Sequence, residues 1–139
     1  MAVITDEIRV ETGGHGDTRD ITAEAASVVQ RSGLANGVLT LFCPGSTGSV
    51  TTIEFEPGVV SDLNRLFDEV ASPDRDYKHH LAWNDDNGHS HVRAGLLGPS
   101  LAVPFVSGAL TLGTWQQIVF VDFDTRGRQR KLVAQVMGE

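Results

Sequence analysis

The sequence predicts an α+β fold: a mainly antiparallel β-sheet with two longer helices and a third, short one. Three observations carry this. The stretches 22–33 and 57–70 place apolar residues at helical spacing between start and stop signals. Beyond residue 99 the chain breaks into short, turn-bounded runs that alternate apolar and polar residues, as antiparallel strands do. The β-branched run "SVTTIEFE" at 49–56 adds a further strand.

From the N-terminus, "VITDEIRVET" (3–12) alternates as a strand and "GGHGD" supplies the turn after it. "TRDIT" is a short returning strand. Thr22 is placed as the N-cap of "AEAASVVQRSG", with Glu24 in the first turn and Gly33 as the stop. "NGVLTLFC" (36–43) is an apolar strand. Pro57-Gly58 ends the 49–56 strand. Val59, Leu63, Leu66, Phe67 and Val70 then mark a helix with Pro73 beyond it. "HVRAGLLG" is a short helix stopped by Gly98-Pro99. The remaining strands are "SLAVPFV", "ALTLG", "QQIVFVDFD" and "RQRKLVAQVMG". In the last, Arg128, Arg130 and Leu132 face away from Gln129, Lys131 and Val133.

At 139 residues the chain is expected to form a single domain, 1–139, large enough for a real core. No apolar run approaches the roughly 20 residues that span a bilayer. The N-terminus has neither a basic nor an apolar leader segment, so a cytoplasmic address is expected, with no membrane partner. A formal charge of −7 argues against a nucleic-acid surface, which needs a basic face. An anionic ligand would need local cations or a metal. The single cysteine, Cys43, excludes an intramolecular disulfide and lies in a strand-like run, where a buried, inert thiol is expected over a nucleophile.

The densest chemistry is in "NDDNGHSHVR" (84–93). Apart from His15, every histidine lies between 79 and 91: His79, His80, His89 and His91. Imidazoles with Asp85 and Asp86 nearby suit a transition metal, or else make a hydrogen-bonded polar loop. If "HSH" is extended, His89 and His91 share a face; on a helix they diverge, and only one can bind a given ion. Gly45, Ser46, Thr47, Gly48 and Ser49 form a small-residue loop that is either a plain hairpin turn or an anion nest of backbone N–H groups. Glu54 and Glu56 share one face if their strand is regular. Trp83 and Trp115 offer rings to a heterocycle, with core or interface packing expected for Trp115. Arg126, Arg128, Arg130 and Lys131 are the one dense cationic cluster, a phosphate site or a solvated hairpin.

Together these stretches resemble the YjbQ family, also labelled secondary thiamine-phosphate synthases. The resemblance rests on "DYKHHLAWNDDNGHSHVRAGLLGPSLAVP", "LGTWQQIVFVDFD" and "RQRKLVAQVMGE", and runs more weakly through "FCPGSTGSVTTIEFEPG". It implies a barrel-like YjbQ fold that assembles as a homotrimer, with a polar cleft near the subunit boundaries. It also implies weak thiamine-phosphate synthase activity, joining a pyrimidine diphosphate to a thiazole phosphate with release of pyrophosphate. The family's histidines map onto His79 and His91. Many relatives carry a histidine where this chain has Gly45, so His89 is the available replacement and Glu54 keeps an acidic position.

The resulting expectation is a divalent metal, zinc or magnesium, on His79, His89, His91 and Asp86. Glu54, His79 and His91 are the candidate catalytic groups. Gly45, Ser46, Thr47 and Gly48, with Arg93, would hold a small phosphorylated partner. The alternative is a non-catalytic trimer that binds a metal ion or a phosphorylated metabolite.

Overall fold

The computed structural model describes residues 1–139. In chain order its first half comprises β1 (Ala2–Thr12), β2 (Asp17–Asp20), α1 (Thr22–Ser32), β3 (Gly37–Phe42), β4 (Gly48–Ile53) and α2 (Pro57–Val70). The second half comprises α3 (Lys78–Trp83), α4 (Gly88–Leu97), β5 (Ser100–Val106), β6 (Ala109–Leu110), β7 (Gln117–Asp122) and β8 (Arg128–Gly138). All strand pairings are antiparallel, as predicted. One sheet has the order β1-β8-β3-β5-β6 and the other β2-β7-β4. The two curl around a common core as a half-barrel, stitched where the amides of Cys43 and Val50 donate to the carbonyls of Pro99 and Gly98. No helix is long and apolar enough to cross a membrane.

The main core lies inside the curl. Leu39, Leu41, Leu132, Ala134 and Val136 from one sheet meet Val50, Ile118 and Phe120 from the other. Helix α1 closes the open side with Ala25, Val28 and Val29, the one face that its helical period can bury. Gly33 stops it in the left-handed conformation at φ 72°, as its position predicts. A second cluster covers the back of β7. There Val119, Val121 and Phe123 pack against Phe67 of α2 and Ala94 of α4. β7 is therefore covered on both faces, which is why its sequence is almost continuously apolar instead of alternating.

Several elements depart from expectation. Thr22 does not cap α1: its hydroxyl donates to Asp20 at 2.6 Å and accepts the Ile118 amide at 2.9 Å, tying the helix start to β7. β4 ends at Ile53, because the Phe55 amide turns to the Gln117 side chain at 2.7 Å. Glu56 is then the N-cap of α2, accepting from the Gly58 and Val59 amides, so Glu54 and Glu56 do not share a strand face. α3 was not expected from "KHHLAW", which has no apolar period. α4 begins at Gly88, three residues before the predicted start, and so takes in "HSH". "ALTLG" shortens to the two-residue β6. Trp115 is 74% exposed, outside the core of the chain.

Candidate functional site

The strand period places Asp122 and Asp124 on one face at the end of β7, and Arg128 and Arg130 on one face at the start of β8. Across the turn they interlock. Asp122 is fully buried and accepts Arg130 Nε at 2.8 Å and Nη2 at 2.7 Å, a two-pronged pair. It also accepts the Thr12 hydroxyl at 2.5 Å and the Asp124 amide at 3.0 Å. Asp124 takes the Thr47 hydroxyl at 3.1 Å and pairs with Arg128. Burial alone would raise both carboxyls, but these bonds and the arginine charges outweigh it and hold both below the ordinary range. Burial likewise opposes the Arg130 charge, and Asp122 more than restores it.

This network fixes the loop between β3 and β4. Arg130 Nη2 donates to the Thr47 hydroxyl at 2.8 Å, and the Thr47 carbonyl accepts the Phe123 amide at 2.9 Å. The amides of Gly45, Ser46 and Thr47 donate to no acceptor in the protein. Gly45 holds φ at +136°, which a side chain would strain, and an added Cβ would sit 3.4 Å from Arg130 Nη1. Beneath the loop, Cys43 is buried at 1% exposure, and burial pushes its thiol up, so it is an inert core residue.

The third wall comes from the chain before α4. His79 Nε2 lies 3.0 Å from Asp85 Oδ1 and 3.1 Å from Asn87 Oδ1. Its ring centroid is 4.5 Å from that of His91. His91 Nδ1 lies 3.1 Å from the Ser46 carbonyl, which can only accept, so in the neutral ring Nδ1 carries the proton and Nε2 the lone pair. Because "HSH" is helical, His89 and His91 diverge as the helix alternative required. His89 points inward at 6% exposure, its Nδ1 without a partner, and burial lowers its basicity, helped by the nearby Arg93 charge.

Between the three walls lies a cavity of about 520 Å³. Gly45, Ser46 and Thr47 line one side, Arg126, Arg128 and Arg130 another, and Asp85, Asp86, Asn87 and His91 the third. Arg128 and Arg130 are paired to carboxylates, which leaves Arg126 as the unpaired cation. Asp86 makes no ion pair on the opposite wall.

Of the residues singled out by sequence, the structure thus brings together Gly45, Ser46, Thr47, Asp86, His79 and His91. Three others lie elsewhere. Glu54 is an exposed residue just past β4 and does not line the cavity. Arg93 is 5% exposed, bonded to the Ala71 carbonyl at 3.0 Å and Asp68 at 2.9 Å, and set over the Phe67 ring at 5.9 Å. It braces α4 against α2 and does not line the cavity. Gly48 is buried in β4, where an added Cβ would meet Phe120 and Cys43 at 2.8 and 2.9 Å. Neither Trp83 nor Trp115 lines the cavity.

No group of three or more His, Cys, Asp or Glu side chains is arranged to hold a metal ion. With His89 turned inward, His79 and His91 fall one protein ligand short of the three usual at a catalytic zinc centre. Asp122 and Asp124 were missed as site residues, and Asp85, named with Asp86 beside the histidines, was left out of the expected ligand set. The signal for the first two was present in "DFDTRGRQR", where two acids and two arginines alternate on either side of a turn.

A curled antiparallel half-barrel with four helices and a polar cleft at the β7–β8 turn defines the class: a small α+β protein of the YjbQ type. The family model for UPF0047 protein YjbQ-like chains matches residues 6–139, and the chain belongs to that family. It is 35% identical over 139 residues to a UPF0047 protein of Methanothermobacter thermautotrophicus, covering 100% of this chain and 95% of that one. It is 32% identical over 132 residues to the UPF0047 protein YugU of Bacillus subtilis, covering 94% and 97%. Among solved structures, a YbjQ-like protein of unknown function from Sulfolobus solfataricus superposes with a TM-score of 0.94 at 34% identity, over 99% of both chains. A protein from Aeropyrum pernix does so with a TM-score of 0.90 at 32% identity, over 98% of this chain and 99% of that one.

Proposed function

We propose that the chain binds a small phosphorylated molecule in the cavity between the 44–47 loop, the β7–β8 turn and the segment leading into α4. The observation that carries this is that Gly45, Ser46 and Thr47, whose three amides donate to no acceptor in the protein, line the same cavity as Arg126, which makes no ion pair. Convergent N–H groups beside an arginine suit a phosphate's several acceptor oxygens. The Asp122–Arg130–Thr47 network holds the loop in place before any ligand arrives. The test is calorimetric titration of tag-free protein with inorganic phosphate and with pyrophosphate, beside Arg126→Ala. We expect binding by the parent and a loss of about ten-fold in the variant. No heat with either anion at millimolar concentration overturns the proposal.

A second reading adds chemistry. The His91 ring, held through Nδ1 by the Ser46 carbonyl with its Nε2 uncommitted and lying next to His79, favours proton transfer at the phosphate site. Weak thiamine-phosphate synthesis would be one such reaction, with pyrophosphate leaving onto the amides. A divalent ion, zinc or magnesium, would take His79 and His91 only if the ligand supplied the missing donors. Turnover with the two precursors tests the first idea, and elemental analysis beside a His79→Ala/His91→Ala variant tests the second.

Assembly as a homotrimer belongs to the same proposal. The outer face of the larger sheet supports it, where Val3, Met137, Val38 and Pro104 lie side by side in register and are left uncovered.

A further inference from the structure

A phosphate site in the cavity leaves open what the phosphate is attached to. Building on that phosphate reading, we infer that the attached group is a small polyhydroxylated carbon skeleton, a pentose or hexose, and not an aromatic heterocycle.

The inference comes from what lines the space beyond the anion wall. At about 520 Å³ the cavity falls within the roughly 300–1,000 Å³ typical of small-molecule sites, so a phosphate alone would leave most of it vacant. Such sites are ordinarily walled by aliphatic and aromatic side chains, which hold flat rings by stacking and burial. This one has no aliphatic or aromatic hydrocarbon side chain apart from the Pro44 ring at its rim. The exposed indoles of Trp83 and Trp115 are outside it.

The far wall offers Asp85, Asp86 and Asn87 instead. Asp86 has no partner in the protein, and Asp85 keeps one carboxylate oxygen free after its contact with His79. The Asn87 carbonyl oxygen faces His79, which leaves its amide N–H groups to donate. Vicinal hydroxyls both donate and accept, and adjacent carboxylates with a carboxamide are the complement of that pattern. A heterocycle there would find only the His91 ring and the arginine planes to stack on, with no apolar surface to bury it, and one without N–H donors would separate Asp85 and Asp86 from water without replacing its hydrogen bonds. The same two walls also set a direction: phosphate toward Arg126 and the 45–47 amides, hydroxyls toward Asp86.

Calorimetry with four probes tests this: inorganic phosphate, ribose 5-phosphate, glucose 6-phosphate and the thiazole phosphate precursor. One of the two sugar phosphates is expected to bind at least ten-fold more tightly than inorganic phosphate. Asp86→Asn should shrink that ratio at least five-fold, and Arg126→Ala should weaken the sugar phosphate and phosphate alike. Asp86 is an exposed residue, so the variant's fold is not at issue. If inorganic phosphate binds but neither sugar phosphate is tighter, the inference fails and the anion site stands. A tighter thiazole phosphate overturns it in favour of a heterocycle. If inorganic phosphate and the sugar phosphates all fail to bind, the anion reading falls and the inference with it.

Discussion

Asp122→Ala removes the centre of the network that shapes the cavity, and its cost can be worked from the geometry. The carboxylate is fully buried and accepts four hydrogen bonds: two from Arg130, one from Thr12 and one from the Asp124 amide. Its removal leaves the Arg130 guanidinium, 7% exposed, without its bidentate partner. Breaking a buried ion pair from one side costs about 3–5 kcal/mol, because the surviving charge stays desolvated. At roughly 3–4 °C per kcal/mol for a domain of this size, the melting temperature should fall by about 9–20 °C. The assay is thermal and urea denaturation at one fixed protein concentration, since assembly would make the midpoint concentration-dependent. Arg130→Met in the Asp122→Ala background should recover part of the loss by removing the stranded charge. A loss under about 1 kcal/mol in the single variant, the range of an exposed pair, would refute the reasoning. So would a double variant no better than the sum of the singles. The direction in acid follows from the same bonds. Asp122 and Asp124 have folded-state values below the ordinary 3.8. Their contribution is complete above that value and is lost as the pH falls through the lower folded ones. Asp122→Ala should therefore show a shallower decline in urea midpoint in acid than the parent.

Two further outcomes are expected from single residues. His89→Phe removes a buried, unpartnered ring nitrogen from a residue outside the cavity, so stability should hold or rise by up to about 1 kcal/mol. A loss above about 2 kcal/mol by urea denaturation would mean that the His89 imidazole does have a hydrogen-bond partner in solution. Gly33→Ala should cost about 1–2 kcal/mol from its left-handed backbone alone, since an added Cβ there meets nothing within 4 Å. An unchanged urea midpoint would mean that α1 can end in another conformation.

Much of the fold was legible because its signals are local. Gly33 stops α1 where a left-handed glycine is expected, and β7 forms where "QQIVFVDFD" predicts a strand, although it is buried on both faces instead of alternating. α3 was not legible, since six polar and mixed residues held mainly by neighbouring loops carry no period. The site was legible in its parts and not in its assembly. Thr47 and Arg130 are 83 positions apart and His91 and Ser46 are 45 apart, and no local pattern links them. Glu54 and Arg93 lie away from the cavity for different reasons. Phe55 turns to the Gln117 side chain and ends the strand that would have presented Glu54, while Arg93 found its partners in Phe67, Asp68 and Ala71. The fate of His89 depended on where α4 begins, and Asn87 at that boundary makes no side-chain cap that could have marked it.

The position of β8 has a consequence for how the chain is made. The last of this sheet's strands in chain order, β8, lies second in the larger sheet, with Ala2 of β1 opposite Gly138 on one side and Gly37 of β3 opposite Gly138 on the other. β1 has no partner in the sheet, and β3 has only β5, until β8 has left the ribosome. Until then, Ile8, Leu39 and Leu41 have no Leu132, Ala134 or Val136 to cover them. During translation β1 and one side of β3 are thus unpaired sheet edges, the state in which a chaperone or a neighbouring copy competes for them. β8 joins β1 to the rest of the larger sheet all at once.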